Sequence, residues 1–193
     1  MVNVTSTMLP LGTPLPDFTL PDPDGVDHGT ADVGDAPGVL VAFVCNHCPY
    51  VKHIAADFGP LAKQWQDAGL AILAVNANDA SSYPDDSPDR MREFAAANGW
   101  TFPYLVDESQ AVALDYRAAC TPDFFLFDRD RRLAYRGRLD ASRPNSGVPV
   151  TGDELGEAID AVLAGRPVTG EQRPSMGCNI KWKPGNAPEW FTG

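Results

Sequence analysis

Val39-Leu-Val-Ala-Phe-Val-Cys-Asn-His-Cys-Pro-Tyr-Val-Lys-His-Ile-Ala55 sets two cysteines three positions apart at the end of an apolar run. Such a pair can be a redox couple, half of a metal site or two buried thiols, and its surroundings decide between them. Gly38 to Val44 is continuously apolar and β-branched, which predicts a strand buried on both faces. Pro49 to Asp67 predicts a helix, with Val51, Ile54, Ala55, Phe58, Leu61 and Trp65 near one face. Gly59-Pro60 is expected to kink or split it, because Pro60 removes a donor in mid-helix.

On that reading Cys45 ends the strand and Cys48 lies one turn into the helix. A helix N-terminus offers unsatisfied backbone donors and positive potential, both of which stabilise thiolate over thiol. The spacing brings the sulfurs within bonding reach and is expected to leave only Cys45 exposed. Cys45 is therefore expected to be a low-pKa nucleophile and Cys48 the thiol that resolves its mixed disulfide. Lys52 and His53, one turn on, can add positive potential or form a solvated helix face.

The rest of the chain alternates strands and helices. Asp17 to Leu20 is a short strand candidate in a Pro-, Gly- and Asp-rich entry segment, and Leu70 to Val75 is a second buried strand. Asn76 to Asp89 is a polar loop, and its Asn76 to Asp86 part is either one wall of a site or plain surface. Ser87 as N-cap with Pro88 at the first helical position opens a helix to about Asn98, stopped by Gly99. Phe102 to Val106, Phe124 to Phe127 and Leu133 to Arg138 read as strands, and Gln110 to Arg117 as a short helix. A last helix spans about Thr151 to Ala164, with Thr151 and Glu154 as a capping box. The tail has no clear periodicity. The pattern predicts one three-layer α/β domain over residues 1–193 with a mixed sheet, its core at about 9–166 and its tail at about 167–193.

Of the 193 residues, Lys and Arg number 15 and Asp and Glu 26, a formal charge of −11. That balance repels phosphate backbones and anionic membrane surfaces, so neither nucleic acid nor membrane is an expected partner. The basic cluster Arg129, Arg131 and Arg132 alternates with Asp128 and Asp130 and reads as a solvated turn. No apolar run approaches a membrane span, and the first residues do not read as a signal peptide, so the expected location is cytoplasmic. Four cysteines are too few for a disulfide scaffold, and a cytosolic pair of this spacing is more often catalytic or metal-binding.

Four segments together resemble a known superfamily: Gly12-Thr-Pro-Leu-Pro-Asp-Phe18, Phe43-Val-Cys-Asn-His-Cys-Pro-Tyr-Val-Lys52, Thr121-Pro-Asp-Phe-Phe-Leu-Phe-Asp128 and Gly177-Cys-Asn-Ile-Lys-Trp-Lys183. They resemble the thioredoxin-like superfamily, and most closely its peroxiredoxin and alkyl hydroperoxide reductase branch. The resemblance implies a thioredoxin-like α/β/α fold with an N-terminal extension and a thiol-disulfide oxidoreductase activity. It implies that Pro122 is cis and packs opposite the cysteine pair, with Thr121 presenting its backbone to an extended substrate. His47 is placed like the histidine of disulfide isomerases; protonated, it favours the thiolate and makes the couple more oxidising.

The sequence departs from the peroxiredoxin pattern where peroxide is polarised. Ala42 stands where the branch has Thr, Gly38 where it has Pro, and Pro122 about where it has Arg. Thioredoxins also carry a buried Asp before the cysteine pair, which is missing here and leaves the Cys48 proton to water, His47, Glu93 or Asp123. Cys120, beside Thr121, and Cys178, in the tail, are either further redox thiols or small buried hydrophobes.

The expected partners are a disulfide-bearing protein or small molecule and a reductase or thiol pool that supplies electrons, with no cofactor. Two alternatives stand beside this reading. One is a thiol peroxidase using Cys45 and Cys48. The other is a Cu(I)-binding protein of the same fold, with the two thiolates and His47 or His53 as ligands.

Overall fold

The computed structural model describes residues 3–191. Short strands open the chain: β1 (Asn3–Thr5), β2 (Thr19–Pro21) and β3 (Asp27–Gly29), the last followed by a 3-10 turn over Thr30–Val33. The central part runs β4 (Val39–Phe43), α1 (Pro49–Asp67), β5 (Ala71–Asn76), α2 (Pro88–Ala97), β6 (Tyr104–Val106) and α3 (Ala111–Asp115). It closes with β7 (Cys120–Thr121), β8 (Asp123–Phe127), β9 (Leu133–Gly137), α4 (Asp153–Leu163) and β10 (Met176–Asn179).

The main sheet has five strands in the order β6-β5-β4-β8-β9. β4, β5 and β6 are parallel, while β8 and β9 run antiparallel, so the sheet is mixed. β4 is buried along its whole length. Its side chains alternate between two cores, as the two-residue repeat of a strand requires. Leu40 and Ala42 face a cluster with Phe58 and Trp65 of α1, Met91 of α2 and Leu155 and Ile159 of α4. Val39, Val41 and Phe43 face a cluster with Phe18, Tyr116 and Val112 of α3. The doubly buried strand read from the sequence thus becomes the middle of an α/β/α sandwich.

Three local expectations fail for identifiable reasons. α1 runs unbroken across Gly59-Pro60, so the proline does not split it. Pro60 is exposed, and so is Ala56, whose carbonyl loses its intrahelical donor, so water can replace it. Thr151 and Glu154 do not form a capping box; the N-cap is Gly152, at φ 67°. The Asp140 carboxylate accepts from the Thr151 and Gly152 N–H groups instead, at 2.9 and 2.8 Å, and Glu154 pairs with Arg138.

The tail is the third case. It holds β10, the middle strand of a second, three-stranded sheet ordered β1-β10-β7. This short strand carries too little apolar repeat to announce itself. It joins the start of the chain, Asn3 opposite Cys178, to the segment around Pro122, Cys178 opposite Thr121.

Candidate active site

Cys45 follows β4, and Cys48 is the N-cap residue of α1 with Pro49 in the first turn. Opposite them, the Thr121–Pro122 peptide bond is cis. Thr121 meets both sulfurs. Its hydroxyl lies 3.2 Å from Cys45 Sγ, and its carbonyl oxygen lies 3.1 Å from Cys48 Sγ, to which the neutral Cys48 thiol donates. The strand–helix junction and the β7–β8 corner therefore converge on one pair of sulfurs.

The expected exposure of Cys45 is not found: Cys45 and Cys48 are both 0% exposed. The low pKa expected for Cys45 is not found either. Burial pushes its thiol well above the ordinary value, and the neighbouring Cys48 sulfur and the Asp86 carboxylate add to this against the Thr121 hydroxyl. Side-chain interactions with Cys178 and Cys45 lower the Cys48 pKa against burial, so of the two sulfurs it is Cys48 that ionises more readily. The Val51 N–H, at the start of α1, adds to that effect. The neighbouring sulfurs, more than the helix N-terminus, thus favour ionisation of the second cysteine rather than the first.

His47 does not stand alone beside the cysteines. Its Nδ1 lies 2.6 Å from Asp86 Oδ2, a side chain that is fully buried. Asp86 also accepts from the Asn46 N–H at 2.8 Å and from Asn78 Nδ2 at 2.7 Å. Burial opposes its ionisation, but the hydrogen bonds from His47 and Asn78 prevail and hold the carboxyl below its ordinary value. Tyr83 stacks on the His47 ring at 5.4 Å, and the Asn46 amide accepts from the Tyr104 hydroxyl at 3.0 Å. The Asn76 to Asp86 loop is therefore a wall of the site. Asn78 ties that wall to the tail, accepting from the Lys181 N–H at 2.8 Å.

The other sequence candidates separate. Cys178 is 2% exposed and lies beside Cys48, as the hydrogen bond between their side chains requires. Cys120 is buried too, but its sulfur contacts the Pro122 carbonyl at 3.8 Å. Glu93 is exposed and paired with Arg90, away from the cysteines. Asp123 is fully buried, hydrogen-bonded by the Ser6 hydroxyl, and burial raises its pKa to about 7. Lys52 is exposed. His53 lines a cavity of about 280 Å³ beside Pro122, with Tyr50, Arg138 and Arg143 among its other walls.

For a metal ion, the donor atoms of Cys45, His47 and Asp86 lie within 4.8 Å of one another. This mixed sulfur, nitrogen and oxygen set differs from the thiolate-rich set expected for Cu(I), and His53 is not part of it.

Asp86, Asn78, Tyr83 and Tyr104 were not singled out in the sequence. The available signal was the Asp85-Asp86 pair in the loop that follows the strand next to β4.

Residues 11–136 match the AhpC/TSA family. The crystal structure of an uncharacterized conserved protein from Geobacillus kaustophilus is 50% identical, with a TM-score of 0.92 over 95% of this chain and 98% of that one. Thiol-disulfide oxidoreductase ResA from Geobacillus thermodenitrificans is 28% identical over 127 residues, 66% of this chain and 68% of that protein. The fold is thioredoxin-like. It is shared with a secreted Mycobacterium tuberculosis disulfide oxidoreductase at 16% identity and a TM-score of 0.58, over 75% of this chain and 95% of that one.

Proposed function

The chain belongs to the AhpC/TSA family, and from that premise we propose that it is a thiol-disulfide oxidoreductase whose working couple is Cys45 and Cys48. The observation that carries this reading is the convergence of both sulfurs on Thr121, directly before cis-Pro122. In the reduced protein Cys48 donates to the Thr121 carbonyl while neutral and is the more readily ionised of the two sulfurs. Cys45 becomes the nucleophile when the substrate opens the site to water, which relieves the burial that holds its thiol neutral and lets the proton leave. Cys45 then attacks a substrate disulfide and expels one thiolate. Cys48 next attacks the Cys45 sulfur, expels the second, and leaves a Cys45–Cys48 disulfide for a reductase or thiol pool to reopen.

Because both sulfurs are enclosed, the substrate must displace part of the wall, and Tyr83, 39% exposed over His47, is a piece of it that already meets solvent. The cavity beside Pro122 offers the substrate a place to lie. The couple is proposed to work in the cytoplasm, drawing its electrons from the thiol systems there.

The test is reduction of insulin disulfides by wild type and by Cys45→Ser. Turnover is expected in the first and not in the second, and equal rates would remove the proposal.

Peroxide reduction is a second reading, favoured by one contact: the Thr121 hydroxyl at Cys45 supplies a donor that Ala42 does not. Against it, the Asp86 carboxylate acts on Cys45 in the direction opposite to a cation that would steady its thiolate. Stopped-flow oxidation of Cys45 by hydrogen peroxide separates the two readings. A rate well above that of free cysteine would favour the peroxidase.

A further inference from the structure

We infer that Cys178 is a third redox residue: its thiol takes Cys48 over from Cys45 to form a second disulfide, Cys48–Cys178, leaving Cys45 as a thiol in an oxidised protein. β10 pairs with β7 so that Cys178 stands opposite Thr121, the residue that touches both other sulfurs. The approach is close enough to dictate the sequence. A Cβ at Gly177 would lie 2.0 Å from the Thr121 carbonyl oxygen, so only glycine lets β10 pack against this corner. In the same buried cluster, the Cys48 side chain interacts with that of Cys178 on one side and that of Cys45 on the other. Cys48 is thus the middle of a three-sulfur row, with one potential partner on either side.

All three belong to the same buried cluster, whereas Cys120 does not. A cysteine that served only as a small hydrophobe would not need to meet the one sulfur already at the strand–helix junction. The strand that carries Cys178 also pairs with β1 and, just beyond it, holds Asn78 through Lys181. A Cys48–Cys178 bond would therefore tie α1 covalently to the segment that anchors the wall of the site.

The exchange needs no outside oxidant. The Cys178 sulfur attacks the Cys48 sulfur of the Cys45–Cys48 disulfide. The Cys48–Cys178 bond forms as the Cys45–Cys48 bond breaks, Cys45 leaves with the electron pair, and the proton from Cys178 ends on Cys45. Two electrons stay withdrawn throughout. What changes is that an oxidised chain regains a thiol at Cys45 that can attack another disulfide, which suits rearrangement of substrate disulfides as well as their reduction.

The inference rests on the Cys45–Cys48 couple proposed above, and its test keeps the two apart. Full-length wild type, Cys45→Ser and Cys178→Ser are oxidised with one equivalent of diamide, alkylated and mapped by peptide mass spectrometry, with circular dichroism as the folding control. A Cys48–Cys178 peptide is expected as the main link in Cys45→Ser. Alkylation of Cys45 in the oxidised wild type is expected to exceed that in oxidised Cys178→Ser several-fold. If wild type closes Cys45–Cys48 while Cys45→Ser leaves Cys48 and Cys178 alkylated, the inference fails and the couple stands. The same holds if Cys45 alkylation is equal in wild type and Cys178→Ser. If no link closes in any of the three, both fail.

Discussion

The Asp86 carboxylate lies 2.6 Å from His47 Nδ1 and, through space, also raises the pKa of the Cys45 thiol. One buried acid therefore governs both the histidine between the cysteines and the first cysteine itself. Left alone, a protonated His47 would favour the thiolate and make the couple oxidising. With Asp86 against its Nδ1, His47 shares its hydrogen bond with a carboxylate rather than with the cysteine sulfurs.

Asp86→Asn tests this arrangement. With the negative charge gone, the Cys45 thiolate is easier to form, and the reduction potential is expected to rise by roughly 30 mV for each unit by which the Cys45 pKa falls. Stability is expected to fall by about 1–3 kcal/mol as charge-assisted hydrogen bonds weaken. Because the Asp86 pKa is lowered in the fold, its contribution is present above the ordinary carboxylate value and lost as pH falls through the folded value. Asp86→Asn should therefore flatten the acid limb of the stability profile. Equilibrium denaturation from pH 2 to pH 6 measures it.

The layered sheet, its central strand and the cysteine pair were legible in the sequence because each rests on a local pattern. The run Val39 to Val44 is apolar on both faces, and the cysteines stand where a strand must hand over to a helix. The Asp86–His47 pair was not legible, because it spans 39 positions and arises only when β5 lies beside β4. The relative acidity of the sulfurs was hidden for the same reason: the Cys48 pKa is lowered chiefly by a tail residue, Cys178. Pro60 and Thr151 misled in the opposite sense. Their local rules are sound, but an exposed carbonyl and the Asp140 carboxylate satisfied the backbone in other ways.

Asp123 gives the protein a stability limb at neutral pH. Burial raises its pKa from 3.8 to about 7, so the folded state holds this proton more tightly than the unfolded chain. Its stabilisation is complete below the unfolded value and lost as pH rises through the folded one. Between about pH 4 and pH 7 the loss should amount to something on the order of 4 kcal/mol. Asp123→Asn is expected to remove that slope while leaving the fold intact. Urea denaturation of both proteins at pH 5 and pH 8 compares them.

Gly177→Ala is expected to cost about 1–3 kcal/mol, the usual range for overpacking, because the added carbon has no room against Thr121. β10 must then move off β7 and carry Cys178 away from Cys48. Thermal unfolding should show the loss, and the Cys178 alkylation rate should rise relative to wild type.

The most direct measurement is a redox titration of the purified protein against defined thiol–disulfide buffers, read by intact mass. The expected result is one two-electron transition, with loss of two hydrogens, between about −270 and −180 mV. It should be absent from Cys48→Ser, since Cys48 is the sulfur common to every proposed link. A wild-type mass that stays constant across that range, or a Cys48→Ser transition indistinguishable from wild type, would contradict the assignment of this site as a redox couple.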